Sequence, residues 1–144
     1  MRAVIDTNVL IAALTKRGGN AARILRAWRE GRLELVASEA TLREAELVLD
    51  APWLHRIASA EKVRDLLREL RERSLVVSAP RVAGLRLKDA GDRRLVEAAA
   101  AGGARYLVTT DRELLLYRGY GDTEFVTPSE VLRALGAEEP EAGA

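Results

Sequence analysis

The sequence predicts an α/β fold of three layers (α/β/α), with a central parallel sheet of about five short strands between helices. Three observations predict it. Short apolar, often β-branched runs alternate along the chain with stretches whose apolar residues recur at helical spacing. The first run, Ala3 to Ile5, is continuous rather than alternating with polar residues, as in a parallel strand covered on both faces. No internal repeat or linker divides the chain. Residues 1–135 therefore read as one domain, with the acidic, Gly/Ala-rich residues 136–144 as a flexible C-terminal tail.

Taken in order, the first strand stops at Asp6, and Val9, Leu10, Ala13 and Leu14 then follow at helical spacing. Residues 15–19 form a loop, and Asn20 is placed to cap a helix from Ala21 to about Glu30, ended by Gly31. A second strand covers Leu33 to Ala37, and Ser38 caps a helix from Glu39 to Leu49. Asp50 to Pro52 break that helix, Trp53 to Ile57 add a short one, and Ser59 caps another that reaches about Arg73. Leu75 to Val77 are a third strand, and Pro80 to Leu87 a loop. A helix from Ala90 to Ala101 stops at Gly102 and Gly103, and a fourth strand spans Arg105 to Thr109. Thr110 to Glu113 have the spacing of a capping box. Gly119 to Gly121 are a turn, and Glu124 to Val126 a fifth strand. Thr127 to Glu130 form a second capping box with Pro128 at the first helical position, opening a helix to about Leu135.

At 144 residues, 48% hydrophobic and 31% charged, the chain can bury a core and has the balance of a folded protein. No apolar run approaches the roughly 20 residues needed to span a bilayer, and no basic segment with an apolar core opens the sequence. There is no cysteine, which excludes disulfides and thiolate metal sites. A cytoplasmic location without membrane contact is expected. The net charge of +1 gives no strong global field toward polyanions. Lys16, Lys62 and Lys88 are the only lysines, and the remaining basic residues are arginines, which suits either phosphate recognition or a GC-rich coding bias. Trp28 falls on an apolar helical stripe and suits core or dimer packing over base stacking. Trp53, at the break after Pro52, suits a dimer contact, so a homodimer is expected. His55 is expected at the surface without a catalytic role.

Four acids stand apart from the solvated ones. Asp6 and Asp111 each follow a strand where a helix begins, at the edge of a parallel sheet where ligands bind. Glu44 aligns with Ala40, Leu47 and Val48, and Asp92 with Leu95, Val96 and Ala99, which puts both on apolar stripes. Glu39 and Glu46 are free to face solvent, and Arg93 and Glu97 have the spacing of an exposed pair. Asp6 and Asp111 could merely cap helices, and Asp92 could serve a helix dipole. Glu44, mid-helix, has the weakest structural explanation. Buried carboxylates gathered at one edge repel one another and need either arginine partners or a hard cation. With one histidine and no cysteine, an oxygen-only site points to Mg²⁺ or Mn²⁺ rather than Zn²⁺.

These residues resemble the PIN-domain family of nucleases. The matching stretches are V-I-D-T-N-V-L at Val4 to Leu10, S-x-x-x-L-x-E at Ser38 to Glu44, D-A-G-D-x-x-L-x-x-A-A at Asp89 to Ala99, and V-T-T-D-x-E-L-L at Val108 to Leu115. The likeness runs from Arg2 to about Leu135. The Gly18-Gly19 loop and the S-x-x-x-L-x-E context look most like the toxin branch of toxin–antitoxin pairs. The resemblance implies a PIN-like fold and an endoribonuclease using Mg²⁺ or Mn²⁺, with Asp6, Glu44, Asp92 and Asp111 as the metal-binding, catalytic acids. Asn8 and Thr109 or Thr110 would orient ligands or water. Asp89 shares the acidic segment with Asp92 and would support the site or only cap the helix. Thr110 stands where Gly or Asn is more usual. The cut would leave a 5′-phosphate and a 3′-hydroxyl, and the partners implied are RNA and a cognate antitoxin protein.

From the residues alone, Arg17, Lys88, Arg94 and Arg112 lie near the proposed edge and could grip the phosphate backbone. A PIN domain that only binds a partner or RNA is the alternative. A receiver domain with a phosphorylated aspartate is disfavoured, since the first strand's edge lacks a second acid and no lysine follows the last strand.

Overall fold

Ala3 and Ile5 face one apolar core while Val4 faces another, and this alternation organises the fold. In the computed structural model, residues 1–138 are described. In chain order the elements are β1 (Arg2–Ile5), α1 (Thr7–Thr15), α2 (Asn20–Arg29), β2 (Glu34–Ser38), α3 (Glu39–Leu49), α4 (Pro52–His55) and α5 (Ala60–Arg73). There follow β3 (Leu75–Val77), α6 (Ala90–Gly102), β4 (Tyr106–Val108), α7 (Arg112–Tyr117), β5 (Gly119–Tyr120), β6 (Thr123–Val126) and α8 (Pro128–Glu138). The sheet order is β3-β2-β1-β4-β6-β5. All neighbours pair in parallel except β5 with β6.

Every central strand repeats the alternation of β1. Leu35 and Ala37 of β2, Tyr106 and Val108 of β4, and Val126 of β6 join the core under α1, α2, α3, α5 and α8. Val36, Leu107 and Phe125 join the opposite core under α6 and α7. Both faces are apolar and both are covered by helices, which is the three-layer α/β/α arrangement the sequence predicts. The order of the strands reverses between β1 and β4. Their carboxyl ends lie side by side there, with Ile5 in register with Val108.

Several details depart from expectation. The sheet has a sixth strand: Gly119 and Tyr120, expected as a turn, pair antiparallel with β6 through a tight connection at Gly121 and Asp122. Two residues are too few to carry a periodic signal. Gly19, not Asn20, is the N-cap of α2, which begins one residue early. Asp111, not Thr110, caps α7, its carboxylate accepting from Leu114 N at 3.1 Å. Arg93 turns from Glu97 and donates to the carbonyls of Leu87 and Lys88. Helix α8 passes Leu135 to Glu138. The rest of the expected tail, residues 139–144, lies outside the described residues. Trp28 is core, with the Arg73 guanidinium 5.4 Å from its ring centre, while Trp53 and His55 are exposed.

Helix α6 packs tightly on the sheet at Gly102. A Cβ there would lie 2.3 Å from Val36 Cγ1, so only glycine admits this contact. Gly102→Ala is expected to destabilise the protein by about 1–3 kcal/mol, read as a lower urea midpoint, because the sheet side of the contact is buried and cannot withdraw. An unchanged midpoint would show that α6 can shift on the sheet.

Candidate metal centre

The reversal between β1 and β4 leaves a cavity of 200 Å³ at the carboxyl edge of the sheet. It is lined by Asp6, Thr7, Asn8, Glu44, Val48, Asp89, Gly91, Asp92, Leu95 and Asp111. Asp6 enters directly from the end of β1 and is 7% exposed. Its backbone N–H donates to Val108 O across the sheet at 2.9 Å. Its carboxylate accepts from Thr109 Oγ1 at 2.7 Å and, more weakly, from Asn8 N at 3.4 Å. Thr109 is fully buried, and its hydroxyl also accepts from Asp111 N at 2.9 Å. One hydroxyl thus links the two strand-end acids. Of the two threonines, Thr109 takes this part and Thr110 is exposed.

The other acids come from helices. Asp89 is the N-cap of α6, accepting from Asp92 N at 2.9 Å, and this turn presents Asp92 to the cavity. Glu44 does not lie on the buried stripe of α3 as its spacing suggests. That stripe is Thr41, Leu42, Ala45 and Leu49, and Leu47 is 77% exposed. Glu44 stands half-buried at the stripe's margin and faces the first turn of α6.

Burial is the first cause of the electrostatics here. It raises the carboxyls of Asp6, Glu44 and Asp92, and neighbouring acids add to the effect. At Asp6 the Thr109 and Asn8 hydrogen bonds pull the other way, while the Asp111 charge raises it. Glu44 is raised further by Asp89 and Asp6 and lowered by Arg94. Asp92 is pushed up to about 7, with Asp89, Asp111, Asp6 and Glu113 adding to its burial. Among the described residues no lysine or arginine forms an ion pair with any of the five cavity acids. Glu39 and Glu46, expected to be free to face solvent, both pair with Arg71 on the outer side of α3.

Donor chemistry and charge fit a hard divalent cation: the donors are all oxygens, and none has a basic ion-pair partner among the described residues. The expected four-carboxylate group is openly spaced. Among the described residues no three carboxylates stand close enough to ligate one ion as they are. The group lines a cavity rather than closing on a point. Of the basic residues expected at the edge, Arg94 acts on Glu44, and Lys88 and Arg112 are exposed next to Asp89 and Asp111. Arg17 is elsewhere, on a cleft between α1, α2 and α5. The residue that the sequence reading passed over is Gly91. Its signal was a glycine in the first turn of a helix where no turn requires one.

The sequence matches the PIN domain family over residues 2–113, and the chain belongs to that family. PIN domains are generally nucleases. A search of curated proteins by sequence finds no match. Among solved structures the fold is similar to VapBC2 from Rickettsia felis, crystallised with a DNA fragment from its promoter. The TM-score is 0.56 at 15% identity, over 88% of this chain and 98% of that one. It is also similar to FitAcB from Neisseria gonorrhoeae, with a TM-score of 0.51 at 18% identity, over 88% of this chain and 98% of that one.

Asp92 gives a signed pH dependence for the metal-free protein. Its carboxyl moves from the ordinary 3.8 to about 7 on folding. Over that window the folded chain keeps a proton that the unfolded chain releases, so stability falls as pH rises from about 4 to about 7 and then levels off. Asp92→Asn is expected to raise the metal-free melting temperature at pH 8 by a few degrees, moderated by the side chain's partial exposure, with the gain shrinking toward pH 4. A gain constant across that range would exclude Asp92 ionisation as its origin.

Proposed function

We propose that this chain is a Mg²⁺- or Mn²⁺-dependent endoribonuclease, the toxin of a toxin–antitoxin pair, hydrolysing RNA phosphodiesters at the sheet-edge cavity. The observation that carries the reading is five carboxylates on one cavity, none of them in an ion pair with a basic residue among the described residues. Such a group is costly to keep charged without a cation. Asp6, Asp92 and Asp111 would hold the cation, with Glu44 as a further ligand or proton acceptor. When bound, Mg²⁺ or Mn²⁺ supplies Lewis-acid charge that activates water and offsets charge on the scissile phosphate. Thr109 and the Asn8 N–H both donate to the Asp6 carboxylate, which is also the most buried of the cavity acids. Glu44, raised by burial, is suited to accept a proton from the attacking water. Arg94, Arg112 and Lys88, close in sequence to Asp89, Asp92 and Asp111, would contact the RNA phosphates. The products would carry 5′-phosphate and 3′-hydroxyl ends.

The toxin assignment is supported by the Gly18-Gly19 loop, the S-x-x-x-L-x-E stretch, and the likeness in fold to VapBC2 and FitAcB. A cognate antitoxin protein is the partner this implies. The open spacing of the carboxylates favours a second reading, a PIN domain that binds RNA or a partner without cutting.

Asp6→Asn separates the two. It is expected to lower Mn²⁺-dependent RNA cleavage roughly 100-fold or more with an unchanged circular dichroism spectrum. Cleavage that survives in this variant, or that EDTA does not stop, would contradict the nuclease reading. No cleavage by the wild type under any divalent ion would favour the binding module.

A further inference from the structure

Gly91 is the second residue of α6, and it is buried. Glycine at a helical position costs about 1 kcal/mol relative to alanine. Its backbone does not call for glycine: the positive-φ glycines are Gly18, Gly31, Gly84, Gly103 and Gly121. What the position requires is the absence of a side chain. A Cβ on Gly91 would lie 2.5 Å from Glu44 Oε1, 2.9 Å from Glu44 Oε2 and 3.0 Å from Asp89 Oδ1. The comparison with Gly102 is informative, because there the obstructing atoms belong to a core valine. At Gly91 they are the carboxylate oxygens of two cavity acids.

We infer that Gly91 is a positioning residue for Glu44: the missing side chain leaves the space at the first turn of α6 in which the Glu44 carboxylate is seated beside Asp89. This deepens the metal-site reading above and rests on it for its consequence. The two nearest obstructed atoms are at the far end of the flexible Glu44 side chain, while the third, on the N-cap Asp89, is just at 3.0 Å. A methyl group at residue 91 therefore displaces the carboxylate rather than the backbone, and the helix itself gains from alanine. The residue acts through Glu44 and touches neither substrate nor ion.

The test uses the full chain, with Gly91→Ala, Glu44→Gln and the double variant. The first readout is Mn²⁺ affinity by calorimetry. Gly91→Ala is expected to fold with a melting temperature at or above wild type and to bind Mn²⁺ roughly tenfold more weakly. In the Glu44→Gln background the same change is expected to alter affinity little, since the residue it acts through has lost its charge. Wild-type affinity in Gly91→Ala, or an equal loss in both backgrounds, overturns the inference. The second readout needs no metal: crystal structures of wild type and Gly91→Ala are expected to show the Glu44 carboxylate moved by about 1 Å or more, to van der Waals distance from the new methyl. A carboxylate that stays in place while the backbone shifts overturns the inference. If the wild type binds no Mn²⁺, the metal reading fails, and the crystallographic comparison still decides whether Gly91 seats Glu44.

Discussion

The bond from Thr109 Oγ1 to Asp6 is the constraint on which the site depends. It joins the carboxyl ends of β1 and β4 at the place where the strand order reverses. The same oxygen accepts from Asp111 N, and the Thr109 N–H donates to Val126 O on β6. Three strand ends are therefore tied through one fully buried residue. A buried hydroxyl used as both donor and acceptor is well satisfied, whereas loss of either partner leaves a polar group stranded at about 1–3 kcal/mol. Asp6 and Asp111 owe their relative position to this link.

The charges around that pair are arranged differently from those on the rest of the surface. On the outer side of α3 and α5, Arg71 holds Glu39 and Glu46, and Arg29 holds Glu69. The chain has arginines in plenty and uses them there. Asp6, Glu44 and Asp92 receive no such ion-pair partner among the described residues, so burial and neighbouring acids raise their carboxyls, opposed at Asp6 by hydrogen bonds and at Glu44 by Arg94. That contrast weighs against arginine neutralisation, the simpler of the two solutions open to buried acids. On the proposed reading, the other solution, a hard cation, applies.

Much of this was legible in the sequence, for reasons that can be named. Asp6 was readable because a continuous apolar strand ends at it, and Asp111 because a second strand ends two residues before Thr110. Asp92 was readable from its spacing with Leu95 and Val96, which are indeed buried. Glu44 was selected on a spacing argument that the structure corrects: Leu47, its supposed companion on the stripe, is exposed. Helical periodicity cannot tell the centre of a stripe from its margin when apolar residues lie on both sides. Arg17 was misplaced for a related reason, since nearness in sequence to the first strand says nothing about which end of α1 faces the cavity. The division of labour between Thr109 and Thr110, and the space left by Gly91, depend on contacts across elements far apart in the chain. No local pattern carries them.

On the proposed reading, the cavity acids form one electrostatic unit completed by a divalent cation. Calorimetric titration with Mn²⁺ at pH 7, repeated in buffers of different ionisation enthalpy, measures it most directly, because a ligand must lose its proton to bind a metal. With Asp92 raised to about 7, the account predicts saturable binding with release of roughly half a proton or more per ion. Absence of binding, or binding without proton release, would contradict it.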